Sequence, residues 1–330
     1  MIATEIQEET EPTFDSERAS VSVVVPSCNH APFVAATLRS IMKQTLRPAK
    51  LLVIDDGSVD GSPLVIEHAL NDCSFPSELI ARENRGLSAT LNEGFRRTHG
   101  DYFAYLGSDD LWLPDFLKAR VGLLEARPAA VLAYGHTYFV DEQNAIIDST
   151  ADWADYADGD AREMLLRTTA PMSPTVLCRR DALEHERWNE ESRLEDYELY
   201  LRLSAAGEFA FDPRILSAWR RHGANVSWDQ TLMLEEQLRA QSDAARRFGF
   251  TEKQIEDLQR TTRFNRAEDF MRIGQKSQAV GLMMNNWRGA NSSRATARML
   301  LRLLIPNSFM RARARGRQRN AHKHYGTIRT

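Results

Sequence analysis

"VSVVVP", residues 21–26, is an almost unbroken β-branched run ended by proline. Strand residues alternate between two faces, so a run that is apolar on both needs cover on both, the property of a buried parallel strand. The stretch after it, "APFVAATLRSIMKQ" (31–44), carries Phe33, Leu38, Ile41 and Met42 at helical spacing. "KLLVIDDGS" (50–58) reads as a second buried strand, with Ser62 and Pro63 as the cap and first position of a second helix. "SELIAR" (77–82) reads as a third strand, "LSATLNEGFRRT" (87–98) as a helix and "DYFAYL" (101–106) as a fourth strand. Pro114 and Asp115 open another helix. Strand and helix alternate to about residue 125, which predicts an α/β, Rossmann-like, mostly parallel sheet with helices on both faces.

Beyond that point the pattern changes. "AVLAYGHTYFVDEQNAIID" (130–148) predicts an antiparallel hairpin turning near Gln143 and Asn144. "SPTVLCRR" (173–180) suits one more strand, and "EDYELYLRLSAAG" (195–207) a helix closed by Gly207. From about Gln230 only helical periodicity remains, with Gly274 at the turn of a helical pair and Pro306 ending the last apolar segment. The expected division is an acidic tail at 1–19 and an α/β domain at 20–228, made of a strand–helix part at 20–125 and a part of changed pattern at 126–228. A helical extension at 229–305 and a basic tail at 306–330 follow.

Composition bounds the function classes. The 330 residues are 42% hydrophobic and 27% charged, with a net charge of −4, in the range of an ordinary globular protein. From Trp287 to the end there are eleven Arg or Lys and no acid, so the rest carries −15. The basic end contains one aromatic after Phe309, Tyr325, too few for a nucleic-acid stacking platform. Cys28, Cys73 and Cys178 form no CxxC pair, which suits a reducing cytoplasm rather than a disulfide framework. No apolar run approaches the roughly 20 residues needed to span a bilayer.

In an open parallel sheet, ligands bind beyond the carboxyl ends of the strands. "PSCNH" (26–30), "DDGS" (55–58), "ENRG" (83–86) and "GSDD" (107–110) all fall at that edge. Any one of them is ordinary turn chemistry; four together are not. The adjacent carboxylates of Asp109 and Asp110 repel each other and call for a cation. No GxGxxG or GxxxxGK[ST] phosphate cradle is present, and no HExxH or paired CxxC metal motif.

These segments, with "NRGLSATLNEGF" (84–95) and "LEDYELYLRL" (194–203), resemble the family 2 glycosyltransferases of GT-A fold over roughly residues 20–228. The resemblance implies an inverting transfer from a nucleotide diphosphate sugar, UDP- or dTDP-linked, to an acceptor hydroxyl of a cell-surface polysaccharide or glycolipid. It assigns Asp110 to a divalent metal, Mn or Mg, and Asp109 to the ribose or to support of the metal ligands. Asp56 would read the base, Pro26, Ser27 and Cys28 would pack against it, and Asn84 would lie near the donor. Leu91 stands where many relatives carry a phosphate-binding Arg, and Arg220 and Arg221 would offset part of that loss. Asp196 would be the catalytic base, at a helix start whose dipole favours an anion. His222 would complete the metal site or contact the diphosphate. A sugar nucleotidyltransferase and a catalytically inactive nucleotide-sugar-binding module are the competing readings.

"SSRATARMLLRLLIPNSF" (292–309) places Arg294, Arg298 and Arg302 in one stripe beside a broad apolar surface. Those leucines either pack on the protein or a second subunit, or lie on an anionic membrane as a peripheral contact at its inner face.

Overall fold

The computed structural model describes residues 19–223, 230–290 and 292–329. Four strands form the parallel half of the sheet: β1 (Val21–Ser27), β2 (Lys50–Asp56), β3 (Ser77–Arg82) and β4 (Tyr102–Tyr105), in the order β3-β2-β1-β4. Between them run α1 (Val34–Met42), α2 (Ser62–Leu70) and α3 (Leu87–Arg97). The mixed half adds β5 (Leu111–Trp112), β6 (Ala130–Val140), β7 (Ile146–Ser149), β8 (Leu177–Arg179) and β9 (Glu208–Arg220). It continues from β4 as β8-β6-β9-β5, with β7 paired to β6 as the far arm of the expected hairpin.

Strand alternation divides the core into two layers. Val21, Val23 and Val25 face a cluster with Leu38 and Ile41 of α1, Ile66 of α2, and Phe116 and Leu117 of α4 (Phe116–Glu125). Val24 faces the opposite cluster, with Leu91 and Phe95 of α3 and with Leu199 and Leu203 of α7 (Glu195–Leu203). Both faces of β1 are covered, as its unbroken apolar run requires. Two shorter helices, α5 (Arg162–Leu166) and α6 (Arg180–His185), complete this part.

The chain then becomes helical: α8 (Gln230–Arg247), α9 (Glu252–Arg272), α10 (Lys276–Asn285), α11 (Ser293–Leu304) and α12 (Asn307–Tyr325). Thr251 and Gln254 close a capping box at the start of α9. Leu234, Phe264, Phe270, Met283 and Met299 build a separate core for the extension. Ala240, Ala244 and Ala245 of α8 pack instead into the core layer of α3 and α7 and tie the two together. Gly274 sits between α9 and α10 with a φ of 88°, the expected turn.

Three details differ from the expectations. Gly61, not Ser62, is the N-cap of α2, and Ser62 donates through both its backbone N–H and its hydroxyl to Asp60. Helix α7 ends at Leu203 with Ser204 as cap. Gly207 lies beyond it, where a Cβ would stand 2.5 Å from Val131, so it serves close packing rather than helix closure. The segment 306–330 is not a tail along its length, because α12 occupies most of it and its end returns to the sheet. There Thr327 bridges Ala145 antiparallel, Ile328 N–H donates to the Asn144 carbonyl, and the Tyr325 hydroxyl donates to Asp152. Residues 1–18 of the acidic stretch, the boundary at 228–229 and residues 224–227 after His222 lie outside the described residues.

Candidate active site

The loops after β1, β2 and β4 are laced into one wall. Asp60 accepts from the Ala31 N–H, Ser62 Oγ accepts from the His30 N–H, and Asn29 Oδ1 accepts from the Val59 N–H. From α1, Thr37 Oγ1 contacts the Ser108 and Asp110 carbonyls at 2.9 and 2.8 Å, which seats the "GSDD" turn. Gly107 is the hub of that turn: a Cβ there would stand 3.0 Å from Asp109 Oδ1 and 3.1 Å from Asp110 Oδ2.

The two carboxylates have separate surroundings. Asp109 Oδ2 lies 2.8 Å from His222 Nε2, and Asp109 Oδ1 lies 3.8 Å from His30 Nδ1. One ligand atom from each of His30, Asp109 and His222 falls within 4.8 Å of the others, the one such trio among the described residues. Burial lowers the pKa of His30, which keeps its imidazole neutral and able to ligate. Asp110, assigned to the metal from sequence, stands outside this trio. It is buried and accepts the Arg220 N–H at Oδ1, 2.8 Å away, and burial beside Asp109 pushes its pKa well up. His222, expected from sequence to complete a metal site or contact the diphosphate, lies against Asp109. His30 went unassigned, although its place in "PSCNH" at the same strand edge was the signal that could have found it.

Arg220 is buried and faces inward rather than toward an open phosphate site. Its Nε donates to the Asp109 carbonyl at 2.7 Å, its NH1 group donates to the Asp141 carbonyl at 2.8 Å, and its guanidinium lies over the Phe33 ring. Arg221 lies over Phe139 instead. Leu91 is fully buried in the core of the sheet's α3 face, so that position presents no cation.

Asp56 is nearly buried, and its carboxylate accepts from the Arg85 and Gly86 N–H groups at 2.9 and 2.8 Å and from Arg82. A carboxylate offers about four lone-pair directions, so one remains on Oδ2. Asn84 Nδ2 donates to the Asp56 carbonyl at 2.8 Å and reaches Cys28 Sγ at 3.6 Å. Pro26, Ser27, Cys28, Asp56 and Asn84 therefore share one end of the sheet. The buried Ser27 hydroxyl has no hydrogen-bond partner among the described residues. Burial and the Asp56 charge raise the pKa of the Cys28 thiol, so it stays protonated.

Asp196 opens α7, with Glu195 and Glu198 in the same first turn. The Tyr105 hydroxyl, at the end of β4, donates to its carboxylate. Tyr105 precedes Asp109 by four residues, so a single strand end carries both the Asp196 partner and the trio's carboxylate. Burial raises the pKa of Asp196 to about 6, against the lowering effect of the Tyr105 and Trp188 contacts. Glu195 is raised as well, by burial and by the Asp196 charge.

Comparisons with known proteins agree with this architecture. The family model for glycosyl transferase family 2 matches residues 22–186. Chondroitin synthase from Escherichia coli is 26% identical over 209 residues, 63% of this chain and 30% of that protein. An uncharacterized glycosyltransferase from Nostoc is 25% identical over 168 residues, 50% of this chain and 52% of that protein. The chain thus spans about half or less of these relatives' length. A mannosyltransferase from Pyrobaculum calidifontis, in complex with GDP-mannose and Mn2+, superposes with a TM-score of 0.58 at 16% identity, covering 97% of this chain and 90% of that one. TarS 1–349 of S. aureus, in complex with UDP-GlcNAc, gives 0.57 at 16% identity, covering 93% and 91%. At such identity the likeness establishes the fold, a GT-A sheet with C-terminal helices. The family match is more specific: it spans half of the chain and runs from β1 to just beyond α6, and the chain belongs to glycosyl transferase family 2.

Proposed function

We propose that the protein is an inverting, metal-assisted glycosyltransferase. Its donor is a nucleotide diphosphate sugar, and its acceptor is a hydroxyl of a cell-surface polysaccharide or glycolipid. The observation that carries this reading is the pairing, through one strand end, of a carboxylate–imidazole trio with a half-buried carboxylate of raised pKa.

The residues fit a divalent metal. Asp109, His30 and His222 offer one oxygen and two imidazole nitrogens, a set that favours Mn2+ over Mg2+, which prefers oxygen ligands. Such a metal, when bound, offsets the charge of the diphosphate leaving group. Asp110 then supports the ligands from behind, an exchange of the two roles expected from sequence. His222 lies against the Asp109 carboxylate and the buried Arg220 holds the Asp109 carbonyl, which keeps that carboxylate in place.

Asp196 supplies the base. In a single displacement the acceptor oxygen attacks the anomeric carbon, the bond from that carbon to the phosphate oxygen breaks, and the hydroxyl proton passes to an Asp196 carboxylate oxygen. A pKa near 6 makes this carboxylate a better proton acceptor than an exposed Asp, yet leaves it ionised at neutral pH. The helix start and the Tyr105 hydroxyl keep it oriented.

We read the base of the donor as a pyrimidine, with the remaining lone pair of Asp56 accepting a ring N–H and Pro26, Ser27 and Cys28 packing beside it. Solved neighbours hold both UDP-GlcNAc and GDP-mannose, so the fold alone does not set the base. The basic C-terminal helices suit a peripheral place at the inner face of a membrane, near a lipid-linked acceptor. Incubation with UDP-, dTDP- and GDP-sugars, with Mn2+ or with chelator, tests the reading through nucleotide release. UDP- or dTDP-sugars should be consumed only with metal. Consumption of a nucleoside triphosphate plus a sugar phosphate would point instead to a nucleotidyltransferase.

A further inference from the structure

Helix α11 is apolar on two opposite sides, and only one of them is used. Met299 is buried in the core of the helical extension and Leu303 packs against it. Arg302 pairs with Glu268 of α9, and Lys276 Nζ donates to the Leu303 and Ile305 carbonyls at 2.8 and 2.6 Å, which fixes the end of the helix. The opposite side carries Leu300, Leu301 and Leu304, of which Leu301 is 64% and Leu304 84% exposed. Ala297 joins them at i, i+4 and i, i+7 spacing, and Arg294 and Arg298 flank them. Just past Pro306, Phe309 of α12 is a further exposed apolar side chain, 58% accessible.

The charge around this strip has one sign. Arg294 and Arg298 on α11 and Arg313, Arg315, Arg317 and Arg319 on α12 are all exposed, and no acid follows Trp287 in the chain. Among the described residues no helix is long and apolar enough to cross a membrane, so the strip is not part of a span. The same face of a second copy would set one segment of +11 (Trp287 onward) against another and repel, whereas a bilayer containing anionic lipid matches both the apolar and the basic surfaces.

We propose that the outer face of α11, with Phe309 and the arginines of α12, is a docking surface for the headgroup region of an anionic lipid bilayer. The leucines enter the acyl boundary and the arginines meet lipid phosphates. The proposal extends the peripheral location given above. Vesicle binding needs neither donor nor metal, so its failure would leave the transfer reaction standing.

The test is co-sedimentation of the full chain with vesicles of phosphatidylglycerol and phosphatidylcholine in equal parts, and with pure phosphatidylcholine. Binding to the anionic vesicles should be strong at low salt and fall as salt rises, while pure phosphatidylcholine should retain little protein. L301S/L304S and R313E/R317E substitute only exposed side chains, so both variants should keep the wild-type thermal transition. Each should weaken vesicle binding by about tenfold or more. Absence of protein from the anionic pellet at low salt overturns the proposal, as does wild-type binding by both variants. A wild-type dimer in solution that L301S/L304S converts to monomer would assign the face to a second copy and also overturn it.

Discussion

Asp109 and Asp110 are neighbours in the chain that the fold sends to different partners. Asp109 faces two imidazoles, while Asp110 turns to the Arg220 backbone. Arg220 also holds the Asp109 carbonyl through its side-chain Nε, so one buried residue positions both members of the pair, Asp110 by its backbone and Asp109 by its guanidinium. Groups that orient metal ligands typically govern 10–100-fold in metal affinity. Arg220→Lys should therefore raise the Mn2+ concentration for half-maximal activity at least about tenfold, with kcat at saturating metal much less affected. An unchanged metal requirement would show that Arg220 serves packing alone. A second expectation concerns pH. Asp196 must be ionised to accept a proton, so kcat/KM should fall as pH drops through about 6. The Tyr105 hydroxyl stabilises the ionised form and lowers that pKa, so Tyr105→Phe should move the acidic limb of the profile to higher pH. A limb that stays put or moves down would remove Tyr105 from this role. From sequence, the types of these residues were legible, but the partition between Asp109 and Asp110 was not. It depends on Gly107 and on a strand more than a hundred residues later.

At the scale of elements, the first four strands and their helices were readable because runs such as "VSVVVP" and "KLLVID" are apolar on both faces and end in turn chemistry. Strand β9 was not. Its thirteen residues, "EFAFDPRILSAWR", mix Pro213 and charges with apolar positions, and they pair in shifted registers with β6. Two-residue β5 has no signature of its own and exists because β9 passes it. The Arg-rich segment read as a solvated tail because α12 is polar nearly all round, while the residues at its end pack on the sheet part. Tyr325 and Ile328 pack beside Leu111, Val140 and Ala218, next to the turn that bears Asp109 and Asp110. Removal of residues 325–330 should lower Tm by about 2–4 °C, the scale of losing one or two half-buried side chains, and should expose α12 to trypsin. An unaltered melting curve and digestion pattern would mean that this return contributes nothing to the fold.

The whole molecule joins a catalytic sheet to a helical extension with its own core, and the charge follows the same division. The acids proposed for binding and proton transfer belong to the α/β part, on β2, the turn after β4 and the start of α7, while the net positive charge lies on α11 and α12. That asymmetry was plain in the sequence; the exposed face of α11 was not, because the same leucines would serve equally as core. The reaction itself is tested most directly by separating donor binding from proton transfer in one pair of variants. Calorimetry of UDP-sugar binding with Mn2+, beside turnover, should give opposite patterns for Asp109→Asn and Asp196→Asn. The first should lose metal-dependent donor binding. The second should bind donor as the wild type does and lose turnover by about two to four orders of magnitude. Near wild-type turnover by Asp196→Asn, or unaltered Mn2+-dependent binding by Asp109→Asn, would contradict the assignment of base and metal ligand.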